Sequence, residues 1–309
     1  MRWTINNWHT ALDIPYSIPY TIFISTRQPL TLTLRPHQQR ALDALLTARM
    51  GRVTIPTGGG KTLVMIEDVK RRLAASTTPQ TIVVVAPRIL LAVQLYEEFW
   101  SALNGTVDVA AMHVHSGEVD CYSSTKVQQI QCHAGVCAVA GIHQLIFTTY
   151  NSLRRVNEAG IDVDMIYYDE AHNSVRRDFF KEVAIASITA TYAYYFTATP
   201  KYRGSDISMN NTTVYGSELI SVPAPELINN GSIIPPTIQP HVVDIERNKS
   251  LLAAENDREV LIDIINKLDE DAAQKILVAA PNTRVLWALL SGTNVMQEFA
   301  DRGYDVMHI

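Results

Sequence analysis

Seven residues, Pro56-Thr57-Gly58-Gly59-Gly60-Lys61-Thr62, constrain this chain more than any others. They lie between a short β-branched run, Arg52 to Ile55, and a segment whose Met65, Ile66, Val69 and Leu73 form an apolar stripe at helical spacing. Strand, glycine-rich turn and helix in that order bring consecutive backbone N–H groups toward one point, and the helix N-terminus adds positive potential there. Such a turn accepts phosphate oxygens. In it, Lys61 would reach the β and γ phosphates of a nucleotide and Thr62 would hold Mg²⁺ through its hydroxyl. The strict pattern has a glycine where Ile55 stands, so the flanking strand and helix carry the reading against an incidental glycine-rich turn.

The same rhythm continues along the chain. A helix is expected over about Pro36 to Thr47, and apolar strands at Ile82 to Ala86, Leu145 to Thr148, Met165 to Asp169 and Tyr194 to Thr197, the first three followed by helices. Nearly continuous apolar strands alternating with helices predict an α/β fold with a parallel sheet covered on both faces. Ligands of such folds bind at the carboxyl ends of the strands. Gly58 to Thr62, Pro87-Arg88, Thr149-Tyr150, Asp169-Glu170 and Thr197 to Thr199 all fall at or just after strand ends, so one rim collects them.

Asp169 and Glu170 close the strand Met165-Ile166-Tyr167-Tyr168. Two adjacent carboxylates at a sheet rim are costly unless a cation is near. Asp169 is therefore expected to coordinate Mg²⁺, directly or through water, and Glu170 to polarise an attacking water as general base. Read alone, the pair could instead cap the helix that follows.

Composition sets the outer limits. The 309 residues are 47% hydrophobic and 18% charged, ordinary for a globular protein, and the longest apolar runs are too short to cross a bilayer. Met1 to Asn7 lacks the basic start and apolar core of a secretory signal, which makes a cytosolic setting the expectation. A net charge of −5 gives no global attraction to nucleic acid, so any such binding needs a local groove, helix N-termini and backbone amides.

In their order, these motifs resemble those of superfamily 2 helicases and translocases over about Arg35 to Pro240. Pro56 to Thr62 is similar to motif I, Asp169-Glu170-Ala171-His172 to a DEAH motif II, and Phe196-Thr197-Ala198-Thr199-Pro200 to motif III. The resemblance implies that His172, Thr197 and Thr199 couple the state of the γ-phosphate to the grip on nucleic acid. Ala86-Pro87-Arg88 with Gln94 resembles motif Ia, and Thr148-Thr149-Tyr150-Asn151-Ser152 resembles motif Ib, which implies backbone contacts from Pro87, Arg88, Gln94, Thr149 and Tyr150. Leu34-Arg35-Pro36-His37-Gln38 is similar to the adenine-reading segment, with Gln38 on the adenine edge and Arg35 nearby. Without that order, Thr148 to Ser152 would be an ordinary helix start, Pro87 a strand end, and Arg35 and Gln38 surface residues.

Within the superfamily the resemblance is to the type III restriction enzyme helicase-subunit family. It implies a RecA-like motor domain over 35–205, ATP and Mg²⁺ as cofactors, and DNA as the partner. A restriction role would add nuclease and methyltransferase partners. Residues 1–34 are expected to form an extension with a hairpin built from Tyr20 to Ser25 and Leu30 to Leu34, and the Pro-, Asn- and Gly-rich stretch within 206–240 a linker. Residues 241–309 read as the opening of a second RecA-like domain, with Val260, Leu261, Ile264, Ile265 and Leu268 on one helix face, a helix from about Asn282, and strands at Lys275 to Ala280 and Asp305 to Ile309. The family's later motifs, including the arginine that closes over the γ-phosphate, are expected beyond Ile309, so this chain is expected to bind Mg²⁺-ATP, hydrolyse it slowly and not unwind a duplex. The alternatives are a nucleotide-dependent nucleic-acid clamp or an inactive truncated product without productive turnover, and a different P-loop enzyme. Cys121, Cys132 and Cys137 with His133 or His143 could supply four zinc ligands, but they lack a tight Cys-x-x-Cys clip and read as reduced thiols in a loop-and-helix insertion, while His113 and His115 read as strand residues.

Overall fold

The computed structural model describes residues 33–119, 121–235, 251–267, 278–280 and 282–304. The hairpin expected within 1–34 falls almost wholly outside the described residues, as do the strand expected at 305–309 and the first half of that at 275–280; residues 278–280 are irregular. The chain divides into two compact units, Met1–Pro235 and Pro236–Ile309.

The first unit carries a seven-stranded sheet in the order β3-β4-β2-β5-β6-β1-β7. The strands are β1 (Met50–Thr54), β2 (Thr81–Ala86), β3 (Val109–Val114), β4 (His143–Thr149), β5 (Met165–Tyr168), β6 (Tyr192–Thr197) and β7 (Ser217–Ser221). Every pairing in the sheet is parallel. A parallel sheet needs crossovers, which α2 (Lys61–Ala75), α3 (Ile89–Leu103), α4 (Val127–Ala140), α5 (Leu153–Ala159), α6 (Arg177–Thr189) and α7 (Thr212–Tyr215) supply, while α1 (Pro36–Leu46) precedes β1 and α8 (Ala224–Asn229) follows β7.

The helices form two outer layers. Helices α1, α2 and α3 bury Leu42, Leu45, Met65, Val69 and Phe99 against Val53, Val84, Phe147, Tyr167 and Phe196 of one sheet face. On the other face Leu153, Val156, Phe179 and Val183 of α5 and α6 pack on Val83, Val85, Ile146, Tyr168 and Tyr195. Alternate residues of each central strand thus enter different layers, which is why these strands read as continuous apolar runs.

The first layer also encloses charge. Asp68 of α2 is fully buried, accepts from Arg72 Nε at 2.9 Å and from the Tyr167 hydroxyl at 2.7 Å, while Arg72 donates to the Leu45 carbonyl at 3.1 Å. Burial raises the Asp68 pKa although Arg72 opposes the shift. A buried pair of this kind fixes how α2 sits on β5 and α1 more than it adds net stability.

One expectation is corrected. Residues 212–229, expected within a linker, instead fold as α7, β7 and α8 of the first unit, with β7 pairing with β1. Gly216 makes this possible, because its φ is +62° and a Cβ there would lie 2.5 Å from the Met50 carbonyl oxygen. The sheet also gains β3 at its other edge, which places His113 in a strand and His115 just past its end.

In the second unit, α9 (Leu251–Lys267), α10 (Thr283–Gly292) and α11 (Val295–Asp301) are described. Asn282 caps α10 by accepting from the Val285 N–H at 3.1 Å, and Arg258 bridges Glu255 and Glu298, at 2.9 Å each. Ala254, Ile265, Leu289 and Val295 are buried there.

Candidate nucleotide and nucleic-acid site

The glycine-rich turn leaves β1 and enters α2 at the carboxyl rim of the sheet. Gly58 and Gly60 have φ of +81° and +82°, which L side chains rarely adopt. Gly59 is packed from beneath: a Cβ there would lie 2.5 Å from Ile55 Cγ2 and 3.0 Å from the Pro56 carbonyl oxygen. Ile55, the departure from the strict pattern, is fully buried and donates its N–H to the Thr197 carbonyl at 3.0 Å, so it forms the floor of the turn. The first turn of the 15-residue helix α2 has no side-chain cap, and its leading N–H groups point out of the helix end.

The segment before α1 braces the turn. The Gln38 amide accepts from the Arg35 N–H at 2.9 Å and donates to the Gly59 carbonyl at 3.1 Å, and His37 Nε2 lies 2.8 Å from the same carbonyl. Gln38 is only 4% exposed, so the structure places it as a strut between α1 and the turn. The Arg35 guanidinium donates to the Ser232 carbonyl at 3.1 Å. Leu227 and Ile233 flank Gly59 and Gly58. Ser232, Leu227 and Ile233 lie in the stretch whose composition reads as a linker, so nothing local marks them as neighbours of the turn.

Asp169 and Glu170 follow β5, with β6 between them and the turn. The Lys61 ammonium nevertheless lies 3.6 Å from Glu170 Oε1 and is 10% exposed. His172 Nδ1 lies 3.3 Å from Glu170 Oε2 and 3.0 Å from the Thr197 hydroxyl, and Thr197 accepts from the Thr199 N–H at 3.1 Å. Asn173 Nδ2 is 3.4 Å from His172 Nε2, an arrangement that suits a neutral ring with the proton on Nδ1. Burial holds the His172 pKa below its ordinary value, although Glu170 opposes this. Lys61, Glu170, His172, Thr197 and Thr199 thus form one connected cluster.

Glu170 stands in the left-handed region, with φ 45° and ψ 51°. It is the one non-glycine residue with positive φ among the described residues. That conformation costs an L residue roughly 1–2 kcal/mol, and such strain gathers at functional sites. Beside it, burial and then the Glu170 charge push the Asp169 carboxyl up to about 6, against the pull of Lys61. A carboxyl so placed gains from a divalent cation.

Along the rest of the rim, Arg88 and Gln94 are exposed, Pro87 is partly buried, and Gln94 donates to Glu98 at 2.9 Å. Thr149 is 4% exposed. Tyr150, expected to face nucleic acid, is instead 2% exposed, and its hydroxyl donates to the Asp169 carbonyl at 2.9 Å. Its ring stacks on Tyr168 and Phe179, so the phenol is spent inside the fold.

The cysteines are scattered. Cys121 is partly buried in the loop before α4, while Cys132 and Cys137 lie on α4, exposed and buried respectively. Cys137 Sγ is 3.7 Å from His133 Nδ1, and burial pushes the thiol up to about 11 and the imidazole down to about 4. Among the described residues, no group of three or more His, Cys, Asp or Glu side chains is placed to hold a metal. No helix of the described residues is long and apolar enough to cross a membrane.

A seven-stranded parallel sheet with a glycine turn on β1, an acidic pair on β5 and a threonine pair on β6 defines the RecA-like α/β class of superfamily 2 helicases and translocases. Within that class the chain belongs to the family described as type III restriction enzyme, res subunit, whose profile matches residues 31–202, more than half of its length. Two solved structures share the fold. The ATP-dependent Type ISP restriction-modification enzyme LlaBIII bound to DNA matches with a TM-score of 0.56 and 19% identity, over 66% of this chain and 16% of that one. A nuclease-deletion mutant of the Type ISP enzyme LlaGI, in complex with a DNA substrate mimic, matches with a TM-score of 0.57 and 17% identity, over 89% of this chain and 30% of that one. The chain therefore spans less than a third of either enzyme. A comparison with curated proteins finds no match.

Proposed function

We propose that this chain is a motor domain that binds Mg²⁺-ATP at the Pro56 to Thr62 turn and couples its hydrolysis to movement along DNA. The observation that carries the reading is the approach of Lys61 and Glu170, from turns on β1 and β5, to 3.6 Å beside a helix N-terminus. A phosphate held by that helix end has a cation on one side and a base on the other.

The backbone N–H groups of the turn and Lys61 bind the β and γ phosphates and offset their charge. Thr62 and Asp169 would hold Mg²⁺, which would supply neutralisation of the phosphate charge. Glu170 takes a proton from the attacking water as its oxygen bonds to the γ-phosphorus and the bond to the ADP oxygen breaks. Thr197, Thr199 and His172 sense that change through their shared hydrogen bonds. Arg88, Gln94 and Thr149 lie on the part of the rim proposed to meet the sugar-phosphate backbone, and the DNA of the two solved relatives supports DNA as the polymer.

DNA-stimulated phosphate release tests the reading. The expected result is stimulation by DNA that Lys61→Ala or Glu170→Gln abolishes. ATP-dependent retention on DNA without turnover would replace the motor with a clamp, and no nucleotide binding at all would sink both.

A further inference from the structure

The rim holds a connection that neither the nucleotide turn nor the candidate DNA contacts explain. Tyr150 follows β4, which lies two strands away from β5 in the sheet. Its N–H donates to the Ala86 carbonyl at 3.2 Å, at the end of β2, immediately before Pro87 and Arg88. Its hydroxyl crosses above β2 to the Asp169 carbonyl, 2.9 Å away. The Asp169 N–H donates in turn to the Val85 carbonyl at 2.9 Å. The Asp169 residue is thus held at both ends of its backbone, and Tyr150 holds the end that leads into Glu170.

That placement matters because Glu170 is the strained residue. A peptide group is planar, so fixing the Asp169 carbonyl fixes the Glu170 N–H and limits the rotation available to Glu170. Asn173 secures the next carbonyl, with Nδ2 donating to the Glu170 oxygen at 2.9 Å. The Tyr150 ring has little freedom to slacken, packed 5.6 Å from Phe179 and 6.2 Å from Tyr168, centroid to centroid.

The geometry points to Tyr150 as a positioning residue that ties the rim segments 86–88 and 149–151 to the Asp169–Glu170 peptide, so that contact with DNA at the rim sets the aim of Glu170. The inference rests on Glu170 being the general base. Its consequence is that the aromatic residue of the 148–152 segment acts inward, on the catalytic peptide, while the exposed neighbours Asn151 and Arg88 face outward.

The test compares Tyr150→Phe with Tyr195→Phe in the full chain. Each removes one buried hydroxyl from the same tyrosine-rich layer, and that of Tyr195 bonds to Ser187 and the Val214 carbonyl, away from the rim. Two properties are read well below the melting temperature of the weaker variant. The first is amide hydrogen exchange over residues 169–174 in protein without nucleotide; the second is kcat for ATP hydrolysis with saturating DNA, alongside ATP affinity. Tyr150→Phe is expected to speed exchange over 169–174 and lower kcat by about tenfold or more each, with ATP affinity within about twofold, while Tyr195→Phe leaves all three within about twofold. Equal exchange and equal kcat in the two variants overturn the assignment. If the unsubstituted chain hydrolyses no ATP, the motor reading falls, and the exchange comparison alone still decides whether Tyr150 holds the Glu170 peptide. If Tyr150→Phe does not fold, Asn151→Ala decides through the same kcat: no loss of DNA stimulation there overturns the outward half of the link.

Discussion

The two turns that meet at Lys61 and Glu170 reach left-handed backbone conformations by opposite means. On β1, glycines at 58 and 60 adopt φ near +80° without a side chain to clash. On β5, Glu170 adopts φ 45° with a full side chain. The first turn works through backbone N–H groups, so it can dispense with side chains. The second works through a carboxylate, so it must keep an L residue in an unfavourable conformation and restrain it from outside. Tyr150, Asn173, Lys61 and His172 provide that restraint.

Substitutions that exchange the two strategies should separate them. The largest effect is expected for Gly60→Ala, where φ is +82° and a Cβ would lie 2.3 Å from Gln38 Nε2. Nucleotide affinity should fall by about 100-fold or more, near 3 kcal/mol, in calorimetric titration. Affinity within a few-fold of the parent would mean that the turn is not built by its glycines.

The pH dependence of the acidic turn comes next. The Asp169 carboxyl rises from 3.8 to about 6 on folding. A raised pKa means that its contribution to stability is whole below the unfolded value and is lost as pH climbs through 6. The two-unit shift corresponds to at most about 3 kcal/mol, and partial solvent access leaves roughly 1–2 kcal/mol. Asp169→Asn should therefore gain stability over the parent between pH 4 and 6 in metal-free urea titrations. A difference that does not change with pH refutes the shift.

A smaller effect isolates the strain. Glu170→Gly and Glu170→Ala both remove the carboxylate, yet the glycine variant should be about 1 kcal/mol more stable in denaturant melts, because only alanine is strained at φ 45°. Alanine equal to glycine would show that the turn relaxes once the side chain goes. Least of all, Arg40→Ala, which breaks the exposed Arg40–Glu226 pair between α1 and α8, should change stability by no more than about 0.5 kcal/mol.

The same contrast explains what was legible in the sequence. A left-handed turn made with glycine is written in the residue type, and β2, β4, β5 and β6 announce themselves as apolar runs because both their faces are covered. Glu170 carries no such mark, since nothing in Asp-Glu-Ala-His states a backbone angle. The inward direction of Tyr150 depends on strand order, with β2 lying between β4 and β5, and local pattern cannot supply that order. At the sheet edges the signal fails for another reason. Ser217-Glu218-Leu219-Ile220-Ser221 has no residue that is fully buried, and only Leu219 and Ile220 pack on the core beside the backbone pairing to β1, so it reads as linker. His113 and His115 read as strand residues and the first is one, but the 2.8 Å approach of His113 Nδ1 to His115 Nε2 depends on the turn after β3, which local pattern does not state.

The position of β1 bears on how the protein is made. Among the described residues its sheet neighbours are β6 and β7, so Met50–Thr54 pairs with strands that come far later in the chain. Such distant pairings slow folding, because a long loop must close before any contact rewards it. During synthesis the glycine turn can lean on Gln38 and His37, which precede it, before β6 and β7 exist to flank β1. The strand that leads into the most recognisable motif of the chain is in that sense among the last to gain its described neighbours.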